Sequence, residues 1–320
     1  MNIVELYHRG SSLIGRVFLR RIMQMRIPLD MAKSDLGRTI IDELKLCYTA
    51  EPELLHDLSG LELGEKKCFG DYTLFRVVCD KFQYSYDVLY NYSNGQRSKV
   101  AFLYFGRYGE KTCQSYVYYQ IENWVLYDRE MLDQTLLLPE MLSLSFQHFT
   151  EIDLARDNKF NIVSVIRELA KMDKVKVIIN GKVIDKNKDI ENASLIFPLN
   201  FKKIKNPTLN IKQAKAKKNK KKGMTLCGYN KKKEIDQISN KYYINEFYGN
   251  PKSLHRLEVH QNNEQIKNFC KRKGIVQDIN LIYDQAFLDG MYMKHLSSLL
   301  HFTKGRKELD WNEILCTGKV

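Results

Sequence analysis

Between residues 74 and 126 tyrosine, phenylalanine and valine recur so densely that the chain has little choice but β-structure there. Aromatic and β-branched side chains fit a pleated, half-buried surface better than a helix. Residues 82–92, 100–105 and 116–126 read as antiparallel strands. Residues 174–184 (KVKVIINGKVI) form the clearest hairpin, turning at Asn180-Gly181, a pair that tolerates the positive φ of a two-residue turn. Asn94-Gly95 is a second signal of the same kind.

Helices are placed by periodicity. Residues 161–172 carry Ile162, Val163, Ile166 and Leu169 on one face. Residues 234–247 carry Ile235, Ile238, Tyr242 and Phe247, and residues 281–302 keep helical spacing, broken only by Gly290. Strands and helices mix without regular βαβ alternation. The expected class is α+β, an antiparallel sheet with flanking helices. A faint internal echo links residues 40–48 (IIDELKLCY) to 149–157 (FTEIDLARD). The chain divides into a basic N-terminal segment (1–36), the first half of an α+β core (37–140), a second half carrying the polar motifs (141–275) and a C-terminal helical segment (276–320). Residues 206–223 are poor in apolar side chains and read as a loop inside a domain, with strand-like sequence resuming at Met224-Thr225-Leu226.

A chain of 320 residues with 44% hydrophobic content is no disordered tail. No stretch reaches the ~18 apolar residues of a membrane span, so no membrane partner is expected. Residues 1–25 alternate apolar and basic side chains and are interrupted by Arg16, which suits an amphipathic basic helix better than a signal peptide. Seven cysteines, an odd number with no CxxC, argue against a disulfide framework and for a reducing, cytoplasmic setting.

Charge is distributed unevenly. Thirteen lysines and no acid fall between Lys202 and Lys233. The rest of the chain carries 38 basic and 38 acidic residues, so the whole net charge of +13 sits in that block. Such a focus fits a polyanion, above all nucleic acid. Lys215, Lys217, Lys218, Lys220, Lys221, Lys222, Lys231 and Lys232 are the candidate phosphate contacts, which would position DNA without reading its sequence. A solvated lysine-rich loop is the competing reading.

Three segments carry chemistry. In Glu151-Ile152-Asp153-Leu154-Ala155-Arg156-Asp157, strand alternation puts Glu151, Asp153 and Asp157 on one side. Paired carboxylates with open positions suit Mg²⁺ or Mn²⁺; an exposed strand with a polar face is the alternative. In His255-Arg256-Leu257-Glu258-Val259-His260, the residues Arg256, Glu258 and His260 face one way, as in a strand lining a site or in an ordinary salt-bridged strand. In Tyr229-Asn230-Lys231-Lys232-Lys233-Glu234-Ile235, a tyrosine stands beside lysines that would stabilise its phenolate as a nucleophile. Nineteen tyrosines make packing the alternative for any one of them, and Tyr242 and Tyr243 compete for the role. The chain lacks GxxxxGK[ST], which argues against a P-loop helicase or ATPase, and also lacks GxSxG, HExxH, GxGxxG and His-x-His.

Together these segments resemble the Rep_trans type of rolling-circle plasmid replication initiator, a relaxase-like nicking family. The likeness rests on Ile152-Asp153-Leu154-Ala155-Arg156-Asp157, then Tyr229-Asn230-Lys231-Lys232-Lys233-Glu234, then Arg256-Leu257-Glu258-Val259, in that order, and covers roughly 40–275. The lysine-rich loop ending at Gly223 stands where the family often has a Gly-Ser-Arg-Lys-type segment. The resemblance implies a duplicated HUH-like core and an endonuclease acting by tyrosine transesterification at an origin. Tyr229 would be the nucleophile, Asp153 and Glu258 the ligands of one divalent metal (Mg or Mn), with Asp157 and Glu234 assisting. It further implies origin DNA as partner, both duplex and hairpin single strand, together with host helicase and polymerase, and a homodimer. A non-catalytic sequence-specific DNA-binding initiator or regulator is the alternative. An RNA-binding protein whose aromatic strands stack bases is a third reading.

Overall fold

The computed structural model describes residues 36–108, 115–184, 208–213 and 223–318. The strands are β1 (Thr39–Thr49), β2 (Lys66–Phe69), β3 (Tyr72–Val77), β4 (Phe82–Asn91), β5 (Arg97–Arg107), β6 (Tyr116–Ile121), β7 (Ser145–Asn158), β8 (Val175–Ile179), β9 (Lys182–Val183), β10 (Leu209–Lys212), β11 (Thr225–Asn230), β12 (His255–Asn262), β13 (Leu300–Lys304) and β14 (Lys307–Glu308). The helices are α1 (Pro52–Ser59), α2 (Arg129–Thr135), α3 (Leu137–Met141), α4 (Ile162–Lys171), α5 (Lys231–Glu234), α6 (Tyr242–Phe247), α7 (Asn263–Lys273), α8 (Gln285–Leu299) and α9 (Trp311–Thr317). Among the described residues no helix is long and apolar enough to cross a membrane.

Ten strands form one sheet in the order β10-β11-β12-β7-β1-β6-β5-β4-β3-β2, and every pair is antiparallel. The class is therefore α+β with a large antiparallel sheet. A second sheet runs β14-β13-β8-β9. β1 and β7, which hold the two echoing segments, are neighbours at the centre. Each opens a half with the same plan: a first strand, a helix, then strands of which the last (β6 or β12) returns to pair with the first.

The core lies on one face of the large sheet. Leu44, Leu46, Leu103, Val117, Tyr119, Ile152, Leu154, Leu257 and Val259 are all buried there. Tyr86 donates its hydroxyl to the Leu58 carbonyl in α1, and Tyr119 to the Thr135 carbonyl that ends α2. These phenols add donors to carbonyls in the last turn of a helix; the Leu58 carbonyl also accepts from Leu61 N–H at 3.1 Å. α4 presents Ile162, Val163, Ile166 and Leu169 as its periodicity requires, with Asn161 as its N-cap. α4 comes so near the sheet that a Cβ on Gly228 would meet Val163 Cγ2 at 3.0 Å, so β11 needs glycine just before Tyr229.

The turns follow their residues. Asn180 (φ 49°) and Gly181 (φ 75°) close β8–β9 as a two-residue turn. Asn94-Gly95 differs: only Gly95 has positive φ, and Tyr92 N–H donates to the Gln96 carbonyl, giving a three-residue loop. Two expected helices are also revised. The helix at 234–247 is split by a wide turn over Ile235–Ser239 and by left-handed Asn240 (φ 55°). The helix at 281–302 ends at Leu299, because Leu300–Lys304 is taken up as β13 against β8.

α8 buries His295, whose Nδ1 meets Gln261 Oε1. Burial, reinforced by Lys294 and Arg272, pulls this imidazole down to about 4. A base with a depressed folded-state value favours folding fully above its unfolded value and loses that contribution as pH falls through the folded one. The contribution of His295 to stability should fall by up to about 3 kcal/mol between about pH 7 and pH 4, read as the difference in slope between the wild type and His295→Gln. Urea unfolding of both proteins across that range checks this; equal slopes would contradict it.

Candidate metal and tyrosine site

Across β11, β12, β7 and β1 the opposite face of the same sheet is polar. Strand register builds it: Asp153 lies opposite His260 and Glu43, Cys227 opposite Glu258, Tyr229 opposite Arg256, and Asp157 opposite Arg256. Ala155, opposite Glu258, leaves room between the two ends of the face. β1 contributes more than alternation allows. Between Ile41↔Leu154 and Glu43↔Asp153 it carries one extra residue, Asp42, a bulge that turns Asp42 and Glu43 to the same side.

Asp153, Glu258 and His260 form one set of candidate metal ligands, with donor atoms all within 4.8 Å of one another. His260 Nδ1 is 2.5 Å from Asp153 Oδ2 and 3.8 Å from Glu258 Oε1. The other oxygen of Glu258, Oε2, accepts the Tyr229 hydroxyl at 2.9 Å. Asp153 is 2% exposed, yet its Oδ1 is buried with no hydrogen-bond partner among the described residues. A buried carboxylate oxygen without a donor, among further carboxylates, is an arrangement that a hard cation satisfies. His260, at 37% side-chain exposure, marks the side from which the set is reached.

Before a cation binds, the set holds a proton between His260 and Asp153, which a cation would displace, since an imidazole nitrogen ligates only when unprotonated. Burial, with the charges of Glu258 and Glu43, pushes Asp153 up to about 7 against the pull of His260. Burial and Asp42 raise Glu258 as well. Burial works against a charged His260, but Asp153, Cys227 and Glu258 outweigh it and push the imidazole up to about 11. Burial and Glu258 hold Tyr229 well above the ordinary phenol range, against Arg256, so its hydroxyl stays protonated and donates. Lys231 Nζ lies 5.6 Å from the centre of the Tyr229 ring.

Beyond Ala155 the face becomes an ion-pair knot. Arg256 is fully buried and grips Asp157 with two hydrogen bonds, 2.8 Å from Nε and 2.6 Å from Nη2. Its Nη1 lies 2.5 Å from Asp42 Oδ1, and Nη2 donates to Tyr127 Oη, which itself donates to Asp42. Burial opposes a charged Asp42, but Arg256 and Lys231 hold its carboxyl well below the usual range. Ile235, Ile244, Tyr248 and Leu254 form a small apolar roof here, packed with Tyr127, Tyr243 and Phe247.

The residues expected from the sequence are distributed as follows. Asp153, Glu258 and Tyr229 are brought together. Asp157 is not with them: on one strand face, four residues separate it from Asp153 by ~13 Å, and Arg256 engages it. Lys231 is corrected from a surface phosphate contact to a buried residue, 2% exposed, with Nζ 3.0 Å from Glu234. Glu234 is thereby also engaged away from the ligand set. Lys232 is partly exposed. Lys215, Lys217, Lys218, Lys220, Lys221 and Lys222 lie outside the described residues. Tyr243 donates its hydroxyl to Asn123, and Tyr242 is exposed. His260, which alternation had placed beside Glu258, joins the ligand set. Glu151, which alternation had set on the side of Asp153, lies on this face; Glu43 and Lys45 were not singled out, and the Asp42 bulge shifts Glu43 out of the count that starts at Ile41.

Compared with known proteins, the chain matches no protein-family model, no curated protein and no solved structure.

Proposed function

We propose that the chain is a DNA replication initiator that nicks one strand at an origin by tyrosine transesterification. The observation that carries this reading is the 2.9 Å contact between the Tyr229 hydroxyl and Glu258, whose carboxylate belongs to the same donor set as Asp153 and His260. Glu258 serves both parts of the site, with Oε2 on the phenol and Oε1 toward His260. In the proposed reaction the Tyr229 oxygen bonds to the scissile phosphorus as the bond to the 3′ oxygen breaks. The phenol proton passes to Glu258, already its acceptor, and the departing 3′ oxygen takes up a proton to become the 3′-OH primer. The product is a 5′-phosphotyrosine link. Asp153, Glu258 and His260 would hold a divalent cation, Mg or Mn, which when bound polarises the scissile phosphate as a Lewis acid.

The matched plan of the two halves, with the echoing segments side by side as β1 and β7, supports a duplicated HUH-like core. The lysine block, with most of its length before β11, supports DNA as the partner.

The test is incubation of the protein with supercoiled DNA carrying the region that flanks its own gene, with Mg²⁺ or Mn²⁺, followed by a denaturing gel with and without protease. Open circles with a protein-linked 5′ end are expected. Asp153→Asn should lower nicking by at least about a hundredfold while leaving salt-sensitive DNA binding in place. Intact supercoil in both metals despite tight binding would overturn nicking in favour of a non-catalytic DNA-binding initiator or regulator.

A further inference from the structure

The polar face holds a second set of donors. Glu43, Glu151 and Asp153 each offer a carboxylate oxygen within 4.8 Å of the others, so Asp153 belongs to both sets. Cation–oxygen distances of ~2.0–2.6 Å allow ligands that far apart around one ion. Two ions sharing one carboxylate, ~3.5–4 Å apart, form the usual two-metal centre of phosphodiester chemistry. On this face, however, a cation of the chain's own already sits on the second set. Lys45 Nζ is 2.5 Å from Glu43 Oε1 and 2.7 Å from Glu151 Oε2. Gln120 Nε2 adds a longer hydrogen bond to Glu43 at 3.5 Å.

Register fixes the lysine there. Lys45 pairs with Glu151 across β1–β7 and with Gln120 across β1–β6, so its side chain emerges between the two acids. The acid ends remain reachable, at 33% exposure for Glu43 and 28% for Glu151. The sign that this region takes a cation is Oδ1 of Asp153, which has no hydrogen-bond partner among the described residues, in a residue 98% buried and shared by both sets.

We infer that Lys45 replaces the second ion of a two-metal centre: the face binds one divalent cation, at Asp153, Glu258 and His260, and removal of the Lys45 ammonium opens a second site at Glu43, Glu151 and Asp153. Lys45 is thus a positioning residue that sets metal stoichiometry. The inference rests on the proposed metal set but not on nicking, and its readout needs no DNA.

The experiment is Mn²⁺ titration of the full-length chain, followed by calorimetry and by the spin resonance of free Mn²⁺. One site per chain is expected in the wild type and two in Lys45→Met. Lys45→Gln, a second neutral replacement, guards against a folding defect peculiar to methionine. Adding Glu43→Gln to either should return the count to one. One site in the wild type and in both Lys45 variants, with circular dichroism unchanged, would overturn the inference and leave the first metal set standing. Two sites in the wild type would overturn it equally. No site in the wild type would overturn the metal reading and the inference together.

Discussion

Tyr229→Phe should abolish the covalent protein–DNA adduct, by at least about a thousandfold, while binding the same DNA with unchanged salt dependence. The substitution removes one oxygen. The ring keeps its place on β11 behind Gly228, and the lost hydrogen bond to Glu258 costs about 1 kcal/mol of stability, too little to unfold the chain. Loss of adduct would therefore report chemistry, not folding. Tyr242→Phe and Tyr243→Phe are the matched controls. The Tyr243 hydroxyl is given to Asn123 and Tyr242 is half exposed, whereas the Tyr229 hydroxyl rests on a member of the ligand set. Both controls should nick at wild-type rates. An adduct that survives Tyr229→Phe and disappears in either control would move the nucleophile to α6.

The second large effect concerns Arg256, and it falls on stability. A guanidinium with no exposure, paired with Asp157 and Asp42, has been stripped of water and repaid by two carboxylates and the Tyr127 hydroxyl. Arg256→Met removes one charge and leaves two buried carboxylates facing each other. Breaking a buried pair in this way costs about 3–5 kcal/mol, a large share of the ~5–15 kcal/mol that holds a folded protein together. A fall in Tm on the order of 10 °C is expected, read by thermal unfolding. The pH dependence has a definite sign. Asp42 sits well below its ordinary value in the folded chain, so its contribution is complete above the unfolded value and is lost only as pH falls through the folded one, in strong acid. A Tm within about 2 °C of wild type for Arg256→Met would contradict the role given to the knot.

Local pattern revealed the strands β4, β5, β6 and β8, the helix α4 and the turn at Asn180-Gly181, because each is decided by neighbours in the chain. It also assigned Asp153, Glu258 and His260 to single strand faces. What it could not supply was register. Asp153 meets His260 only because β7 and β12, more than a hundred residues apart, pair at that offset. Alternation likewise offered Asp153 and Asp157 as a pair, although a strand's rise sets them too far apart to share an ion. Lys231 looked like surface because it stands in a lysine run, yet α5 turns it inward onto Glu234. The Asp42 bulge shows the same limit at β1. One extra residue turned two successive acids to one side, and no period-two count detects that. The C-terminal helix was overextended for a related reason: Leu300–Lys304 has an apolar pattern that a helix or a strand can bury, and β8 decides between them.

The most direct test of the central claim is to locate the covalent bond. Trypsin separates the candidates, because residues 223–231 (GMTLCGYNK) contain Tyr229 alone and residues 242–252 (YYINEFYGNPK) contain Tyr242, Tyr243 and Tyr248. After nicking in Mn²⁺ and nuclease trimming, mass spectrometry should find the nucleotide mass on peptide 223–231. Nucleotide on peptide 242–252, or no modified peptide after an incubation that leaves the protein bound to DNA, would contradict the assignment of this face as the nicking site.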